Sequence, residues 1–292
     1  MSLLADLPNA VLQGVLLGGL YALVAAGLSL IFGVMRLVNI AHGDLIVLAS
    51  YIAYAVIAAT GLHPLLALLI VIPLMAAIGY GLQSLVLNRT VGPDILPPLL
   101  VTFGLSVIIQ NGLLEVFSAD SRKLQAGPIE TVAVALPGGL AVGVLPVLMF
   151  ALAVAVIGGL QLVFYRTELG RAFRATSDDP EVAQLMGINH AHLFALAMAL
   201  ALAVCGVAGV LMGIRGIFDP SIGPPRLLFA FEAVIIGGLG SLWGTLAGGI
   251  LLGVAQGVGA AIDPGWQILM GHLMFLLVLV LRPQGLFARV TA

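Results

Sequence analysis

Charged side chains are scarce in this chain. It has 292 residues, of which 11 are basic and 13 acidic, 8% in total, whereas soluble domains carry about 25%. Hydrophobic residues make up 61%, and residues 45–88 contain no charge. These figures exclude a soluble globular domain. A membrane-spanning helix takes about 20 apolar residues, so we expect an all-α, polytopic membrane protein with about eight or nine transmembrane segments, forming a single domain over residues 1–292.

Cysteine, lysine and the common catalytic motifs are also nearly absent. Cys205, which lies in an apolar stretch, is the only cysteine, so an intramolecular disulfide is excluded. The only lysine, Lys123, belongs to no G-x4-G-K-[ST] phosphate-binding loop. We therefore expect no enzymatic activity, metal or cofactor in this chain. Four histidines show no metal-ligand spacing and are predicted to be interfacial or loop residues: His63, His190, His192 and His272.

Apolar runs predict nine membrane segments, at 10–33, 40–60, 64–87, 95–118, 140–165, 191–215, 227–240, 243–262 and 266–282. The segment 227–240 is short and suits a half-helix or a re-entrant segment. No cleavable signal peptide is evident, because the N-terminal tail lacks basic residues. The first apolar stretch is therefore expected to be retained as a helix.

Basic residues set the orientation, because they collect on the cytoplasmic side of a membrane. With the N-terminus outside, four basic residues fall on the external side: Arg122, Lys123, Arg215 and Arg226. Seven fall on the cytoplasmic side: Arg36, Arg89, Arg166, Arg171, Arg174, Arg282 and Arg289. This excess favours an external N-terminus. Residues 119–139, which are polar and rich in turn formers, then form an external loop or hairpin.

Two apolar regions are interrupted in a similar way. The first contains Arg36, Asn39, His42 and Asp44, and the second contains Arg215 and the polar break 219–223. Discontinuous helices in inverted repeats are a recurring plan among transporters. We therefore expect broken helices and a possible inverted repeat. The alternative is that glycine-rich segments such as GGLGSLWGTLAGG simply pack closely through their small faces.

Seven charged residues are concentrated between positions 166 and 181. Within this stretch, Asp179 is predicted to cap a helix of about seven residues that has Pro180 at its first position and Glu181 in its first turn. Gly187 would end that helix. Its apolar side would need support from the membrane domain or from a partner. The segment is predicted to be a docking helix in a cytoplasmic loop, residues 166–190, and the alternative is an ordinary capped connector.

Several stretches together resemble the permeases of branched-chain amino-acid importers driven by ATP-binding cassettes, in particular the smaller permease of each pair. They are GLSLIFGVMRLVNIAHGDLIVLASYIAY (27–54), VTFGLSVIIQNGL (101–113), ELGRAFRATSDDPEVAQLMGIN (168–189), GIFDPSIG (216–223), EAVIIGGLGSLWGTLAGGILLG (232–253) and LRPQGLF (281–287). The resemblance covers nearly the whole chain. It implies a multi-pass protein of the bacterial inner membrane that moves branched-chain or related aliphatic amino acids inward.

The resemblance also implies partners. These are a second permease, two cytoplasmic ATPase subunits that carry ATP and magnesium, and a periplasmic substrate-binding protein; whether the permease pair is a homodimer or a heterodimer stays open. The loop 168–189 would insert into the ATPase. The residues carried over for this coupling are Gly170, Arg171, Ala172, Arg174, Ala175, Glu181, Ala183 and Gly187, together with the capping Asp179.

Five polar residues are candidates for the translocation pathway: Asn39, His42, Gln110, Asn111 and Glu232. Polar groups at membrane depth either line a water-filled path or satisfy broken backbone. For the first pair, the alternative is that Asn39 caps a helix starting near Ile40 with His42 in its first turn. Gln110 and Asn111 point in different directions on a helix, so at most one is expected to face the pathway. Glu232 could instead complement the start of segment 227–240.

Other functions are compatible with the same scaffold. The substrate could be urea, an amide or another small organic solute, because a separate binding protein can set the selectivity. An ion-coupled secondary transporter would need intramembrane acids, and Glu115 and Glu232 are the candidates, both predicted to be unpaired. The sparse polar inventory predicts that the permease makes few strong contacts with its substrate.

Overall fold

The computed structural model describes residues 3–92, 94–137 and 140–287. The helices are α1 (Leu3–Met35), α2 (His42–Thr60), α3 (Pro64–Leu85), α4 (Leu96–Phe117), α5 (Val144–Arg166), α6 (Glu168–Asp178), α7 (Pro180–Leu185), α8 (His190–Arg215), α9 (Gly223–Gly237), α10 (Leu242–Ile262) and α11 (Trp266–Leu281). Short 3-10 helices span Leu87–Arg89 and Gly127–Glu130. Two antiparallel strands, β1 (Ala133–Leu136) and β2 (Leu140–Gly143), form a hairpin.

The predicted polytopic helical fold is confirmed. Within the described residues, seven helices are long and apolar enough to cross a membrane, and the shorter α11 is also apolar. The predicted boundaries shift by more than two residues at three places. The segment predicted at 10–33 is α1, which spans Leu3–Met35. The segment predicted from residue 140 begins as a strand and becomes helical only at Val144. The segment predicted at 227–240 is α9, which starts four residues earlier, at Gly223, and ends at Gly237.

The core is centred on α1 and α8. Small residues let α1 lie directly against α10, because a Cβ added to Gly18 would be 2.4 Å from the Ile250 Cα atom. A Cβ on Gly244 in α10 would likewise be 2.3 Å from the Gly237 carbonyl oxygen in α9. The close packing through small faces that the sequence offered as an alternative is therefore present. It coexists with broken helices.

The first break follows α1. The Nε2 atom of His42 lies 2.8 Å from the Val24 carbonyl oxygen, although α1 continues for eleven more residues, to Met35. Eleven helical residues rise about 16 Å. Residues 36–41 therefore turn back along α1, and α2 begins beside the middle of α1.

The second break mirrors the first. Residues 216–222 follow α8 and return into the bundle, so that α9 begins where Gly223 meets Gly43 and Asp44 near the start of α2. A Cβ on Gly43 would lie 2.1 Å from the Gly223 carbonyl oxygen. From this crossing the two helices diverge, because α2 leads toward His63, which contacts Ala126, and α9 leads toward Gly240, which contacts Gly33. The arrangement matches the expected pair of discontinuous helices with opposite directions.

These contacts define two ends of the molecule. The hairpin end contains β1 and β2, the start of α1 through the bond from Gln13 to the Ala141 carbonyl, and the 218–222 turn. At this end Lys123 donates to Glu130 at 2.5 Å, a hydrogen bond that lowers the pKa of the Glu130 carboxyl. The α7 end contains the end of α1, α6 and α7. The turn 216–222 and α9 together lead from the hairpin end to the α7 end. The short α9 therefore does not change the predicted alternation of the segments between the two sides of the membrane.

Candidate translocation and coupling sites

A second helix, α6, precedes the predicted docking helix. Thr167 begins it, since its hydroxyl accepts a hydrogen bond from the Gly170 N–H at 3.1 Å. Phe173 is fully buried and stacks on Phe164 with ring centroids 5.3 Å apart. The Ser177 hydroxyl donates to the Gly33 carbonyl at 2.7 Å. These contacts fasten α6 to α1 and α5. This helix was not among the predicted elements, although a Thr167 cap followed by Glu168 is a signal for a helix start.

The predicted docking helix, α7, has the caps that the sequence predicted. The Asp179 carboxylate accepts from the backbone N–H groups of Glu181 and Val182, both at 3.0 Å. Gly187 adopts a φ of +84°, a conformation that favours glycine. The helix covers six residues rather than about seven. After α7 the chain turns and continues into α8.

Most of the apolar side of α7 faces solvent. Val182, Leu185 and Met186 are exposed by 53%, 86% and 79%, while Ala183 is buried. A helix of six residues is not stable alone, and here α6 holds it in place. The segment therefore presents an uncovered apolar ridge on a fixed support.

The coupling candidates separate into two groups. Glu181, Gly187 and Ala175 are exposed, and Arg171 is exposed beside Glu168 at 3.3 Å. Other members pack inward and fix α6. A Cβ on Gly170 would lie 2.3 Å from backbone oxygens of α5, Arg174 donates to the Phe164 carbonyl, and Ala172 is half-buried against the core. Their assignment to the ATPase interface stays a prediction.

Asn39 and His42 lie inside the first break. Both are fully buried. The Asn39 side chain accepts from the Ala41 N–H at 3.0 Å, and the Ile40 N–H donates to the Thr102 hydroxyl at 3.2 Å. The prediction that Asn39 caps a helix starting near Ile40 was wrong in detail, because α2 starts at His42. Asn39 thus satisfies a backbone N–H inside the break, whereas His42 joins the start of α2 to the Val24 carbonyl in the middle of α1. The contact of both residues with the pathway stays a prediction.

Gln110 and Asn111 line one cleft at the hairpin end. The cleft has a volume of about 310 Å³, and its wall also includes Asp219 and Ser221. Both amides line this cleft, and the expectation that at most one of them faces the translocation pathway stays a prediction. Their directions on α4 do differ, because Gln110 donates to Ser106 and Asn111 to the Val107 carbonyl.

Glu232 lies far from the start of its helix, because α9 begins nine residues earlier. It therefore does not complement that helix start. Its carboxylate is buried and lies 2.5 Å from the Nδ1 atom of His272 on α11. The predictions that Glu232 is unpaired and that His272 is an interfacial or loop residue are both wrong. They failed because the partners are separated by 40 residues and meet only when α9 packs on α11.

Asp44 was missed as a candidate functional residue. It is 1% exposed, and its Oδ2 atom accepts a 2.6 Å hydrogen bond from the Ser106 hydroxyl. Its Oδ1 atom has no hydrogen-bond partner among the described residues. An acid within an apolar membrane region is by default a functional candidate, and this signal was present in the sequence. Among the described residues, no three His, Cys, Asp or Glu side chains form a metal-binding group.

The helical bundle contains two broken helices that meet at mid-depth, and α7 is exposed at one end and held in place by α6. Together these features define a membrane permease of the transporter class. The family comparison gives the particular family. Residues 10–279 match the model of the branched-chain amino acid transport system permease component. The chain belongs to this family, whose members are transport components rather than enzymes.

Relatives match over nearly full length. The high-affinity branched-chain amino acid transport system permease protein BraD of Pseudomonas aeruginosa is 32% identical over 95% of this chain and 94% of that protein. The corresponding protein LivH of Escherichia coli is 29% identical over the same shares. The permease protein LivM of Escherichia coli is 30% identical over 41% of this chain and 29% of that protein. No solved structure matches the chain.

Proposed function

We propose that this chain is one of two permease subunits of an ATP-binding-cassette importer in the bacterial inner membrane, and that it moves branched-chain or related aliphatic amino acids inward. The named activities of BraD and LivH support the substrate class. The partial match to LivM supports a second, related permease as its partner. A periplasmic binding protein delivers the substrate, and two ATPase subunits carry ATP and magnesium.

The observation that carries this proposal is the exposed apolar ridge of α7, formed by Val182, Leu185 and Met186 on its braced support. Exposed apolar patches mark interaction sites. The chain has no phosphate-binding loop of its own, so an ATP-driven transporter must receive force from another chain. The α7 ridge is a docking point through which an ATPase can deliver it.

The contacts behind α7 provide a route for that force. Ser177 at the end of α6 bonds to Gly33 near the end of α1, and Gly33 lies against Gly240, just after α9. A displacement of α7 by the closing ATPases therefore acts on α1 and on the half-helix α9. We propose that this movement shifts the pathway from outward to inward access.

A matched pair of substitutions tests the docking role. Val182→Asp places a charge on the ridge, and Val134→Asp places the same charge on the hairpin, where Val134 is exposed by 54% against 53% for Val182. A carboxylate in an apolar interface is costly. We expect Val182→Asp to reduce copurification of the ATPase at least about tenfold, while Val134→Asp leaves it unchanged. Equal ATPase recovery with both variants would reject the docking role of α7.

A second function, ion-coupled secondary transport, is favoured by one observation. The buried Glu232–His272 pair and the buried Asp44 are intramembrane ionisable groups of the kind that bind coupling ions. That reading leaves the capped α7 ridge without a role. It also predicts transport by this chain in the absence of an ATPase.

A further inference from the structure

The cleft at the hairpin end has the dimensions of a site for a small solute. Its volume of about 310 Å³ lies at the lower end of the range for ligand sites. It opens between the C-terminal half of α4 and the 218–222 turn, and its polar wall is supplied by Gln110, Asn111, Ser121, Asp219 and Ser221. Because the turn leads directly into α9, the cleft lies beside the half-helix that the proposed mechanism moves.

The polar wall contains free hydrogen-bond acceptors and one carboxylate. The Asn111 amide nitrogen is tied to the Val107 carbonyl at 2.8 Å, and the Gln110 amide nitrogen is tied to Ser106 at 3.1 Å. The Ser221 hydroxyl and N–H both donate to Asp219 Oδ1. These bonds use one hydrogen of each amide group and both donors of Ser221. The two amide oxygens and Asp219 Oδ2 accept no hydrogen bond from the described residues, and acceptors of this kind, with one carboxylate, suit a cationic donor.

A buried relay fixes this polarity. The Asp44 carboxylate accepts the Ser106 hydroxyl hydrogen at 2.6 Å. Having donated to Asp44, the Ser106 oxygen can only accept, so Gln110 must turn its NH2 group toward it. The Gln110 carbonyl oxygen then points away from Ser106. Asp44 therefore acts through two hydrogen bonds on a group at the cleft.

We propose that this cleft receives the ammonium group of the transported amino acid, with Asp219 supplying the charge and the Gln110 and Asn111 carbonyls supplying dipoles. Asp44 and Ser106 are positioning residues that keep the Gln110 acceptor in place. The inference rests on the proposed function for its substrate class. It revises the expectation of few strong contacts, since the subunit recognises one end of the zwitterion.

The relay is tested by exchanging its two end groups, the carboxylate of Asp44 and the amide of Gln110. In Asp44→Asn, the new amide can donate to Ser106, whose hydroxyl then donates to Gln110, and Gln110 turns its NH2 group outward. In Gln110→Glu, two carboxylates compete for a single hydroxyl hydrogen. Each single change is expected to slow ATP-dependent leucine uptake by the reconstituted complex about tenfold, as loss of a hydrogen bond to a charged group does.

The double variant Asp44→Asn/Gln110→Glu restores a consistent chain, because the new amide donates to Ser106 and Ser106 donates to the new carboxylate. We expect its uptake to return to within about threefold of the starting protein, a recovery that a purely structural role of Asp44 does not give. The control is Glu115→Gln, which neutralises an exposed acid on the same helix outside the cleft. If Asp44→Asn does not insert, Ser106→Ala replaces it, and an unchanged rate in Ser106→Ala overturns the relay. Failure of the double variant to recover also overturns it.

A binding measurement separates this inference from the proposed function. Thermal stabilisation of the detergent-purified protein is compared for 3-methylbutylamine, which has only the ammonium group, and 4-methylpentanoate, which has only the carboxylate. We expect the amine to bind at least about tenfold more tightly, and Asp219→Asn to abolish the difference. Equal binding, or preference for the acid, overturns the ammonium assignment. Absence of leucine uptake by the wild-type complex overturns the proposed function, while this comparison still decides the polarity of the cleft.

Discussion

Gly43→Ala is expected to push α2 and α9 apart where they cross and to cause a large loss of stability for a single added methyl group. The new methyl carbon would lie 2.1 Å from the Gly223 carbonyl oxygen and 3.0 Å from the Leu227 nitrogen. Both are backbone atoms, which cannot move aside as the end of a side chain can. Overpacking costs about 1–3 kcal/mol and occasionally more. We expect the melting temperature in detergent to fall by roughly 5 °C or more.

The matched control is Gly104→Ala on α4. A Cβ at Gly104 meets no atom within 4 Å, and alanine favours a helix more than glycine does. Its melting temperature is expected to be unchanged or slightly higher. Equal melting temperatures for both variants would show that the two half-helices do not cross at Gly43 and Gly223.

Phe173→Ala is expected to separate ATP hydrolysis from transport. Phe173 is fully buried and stacks on Phe164, so its removal leaves a cavity between α6 and α5. A change from phenylalanine to alanine in a core costs about 3–5 kcal/mol. The loss falls mainly on the contact between α6 and α5, because Phe173 and Phe164 form that contact. With α6 loosened, the ATPase still meets the α7 ridge, but the displacement of α7 no longer reaches α1.

The measurement is substrate-stimulated ATP hydrolysis alongside uptake. We expect Phe173→Ala to lower uptake at least tenfold, equivalent to about 1.4 kcal/mol, while ATPase copurification is retained. Phe287→Ala is the control, since Phe287 is 53% exposed. Normal coupling in Phe173→Ala would contradict the route through α6.

The features that follow from local chemistry could be predicted from the sequence. Membrane segments depend on the length of apolar runs, and the cap of α7 depends on Asp179 and Pro180, which are adjacent in the chain. The two breaks were visible as polar interruptions because unsatisfied backbone is not tolerated in lipid. These expectations needed no knowledge of distant contacts.

The pairings that build the candidate site could not be predicted in the same way. Asp44 and Ser106 are 62 residues apart, and Glu232 and His272 are 40 apart. Their contact depends on how α2 meets α4 and how α9 meets α11. The shared cleft of Gln110 and Asn111 depends on the return of the 218–222 turn, which closes its other wall. Helix packing determines each of these, and the packing is not encoded in any single segment.

We propose that an ATPase drives this permease from the α7 end. The most direct test is binding-protein-dependent leucine uptake into proteoliposomes, with either internal ATP or an imposed proton or sodium gradient. We predict accumulation only when ATP and the ATPase subunits are both present. Accumulation is expected to be lost in Glu181→Lys but not in Asp263→Lys, which changes an exposed acid in the loop between α10 and α11. Leucine accumulation driven by an ion gradient in vesicles that contain this chain without any ATPase would contradict it.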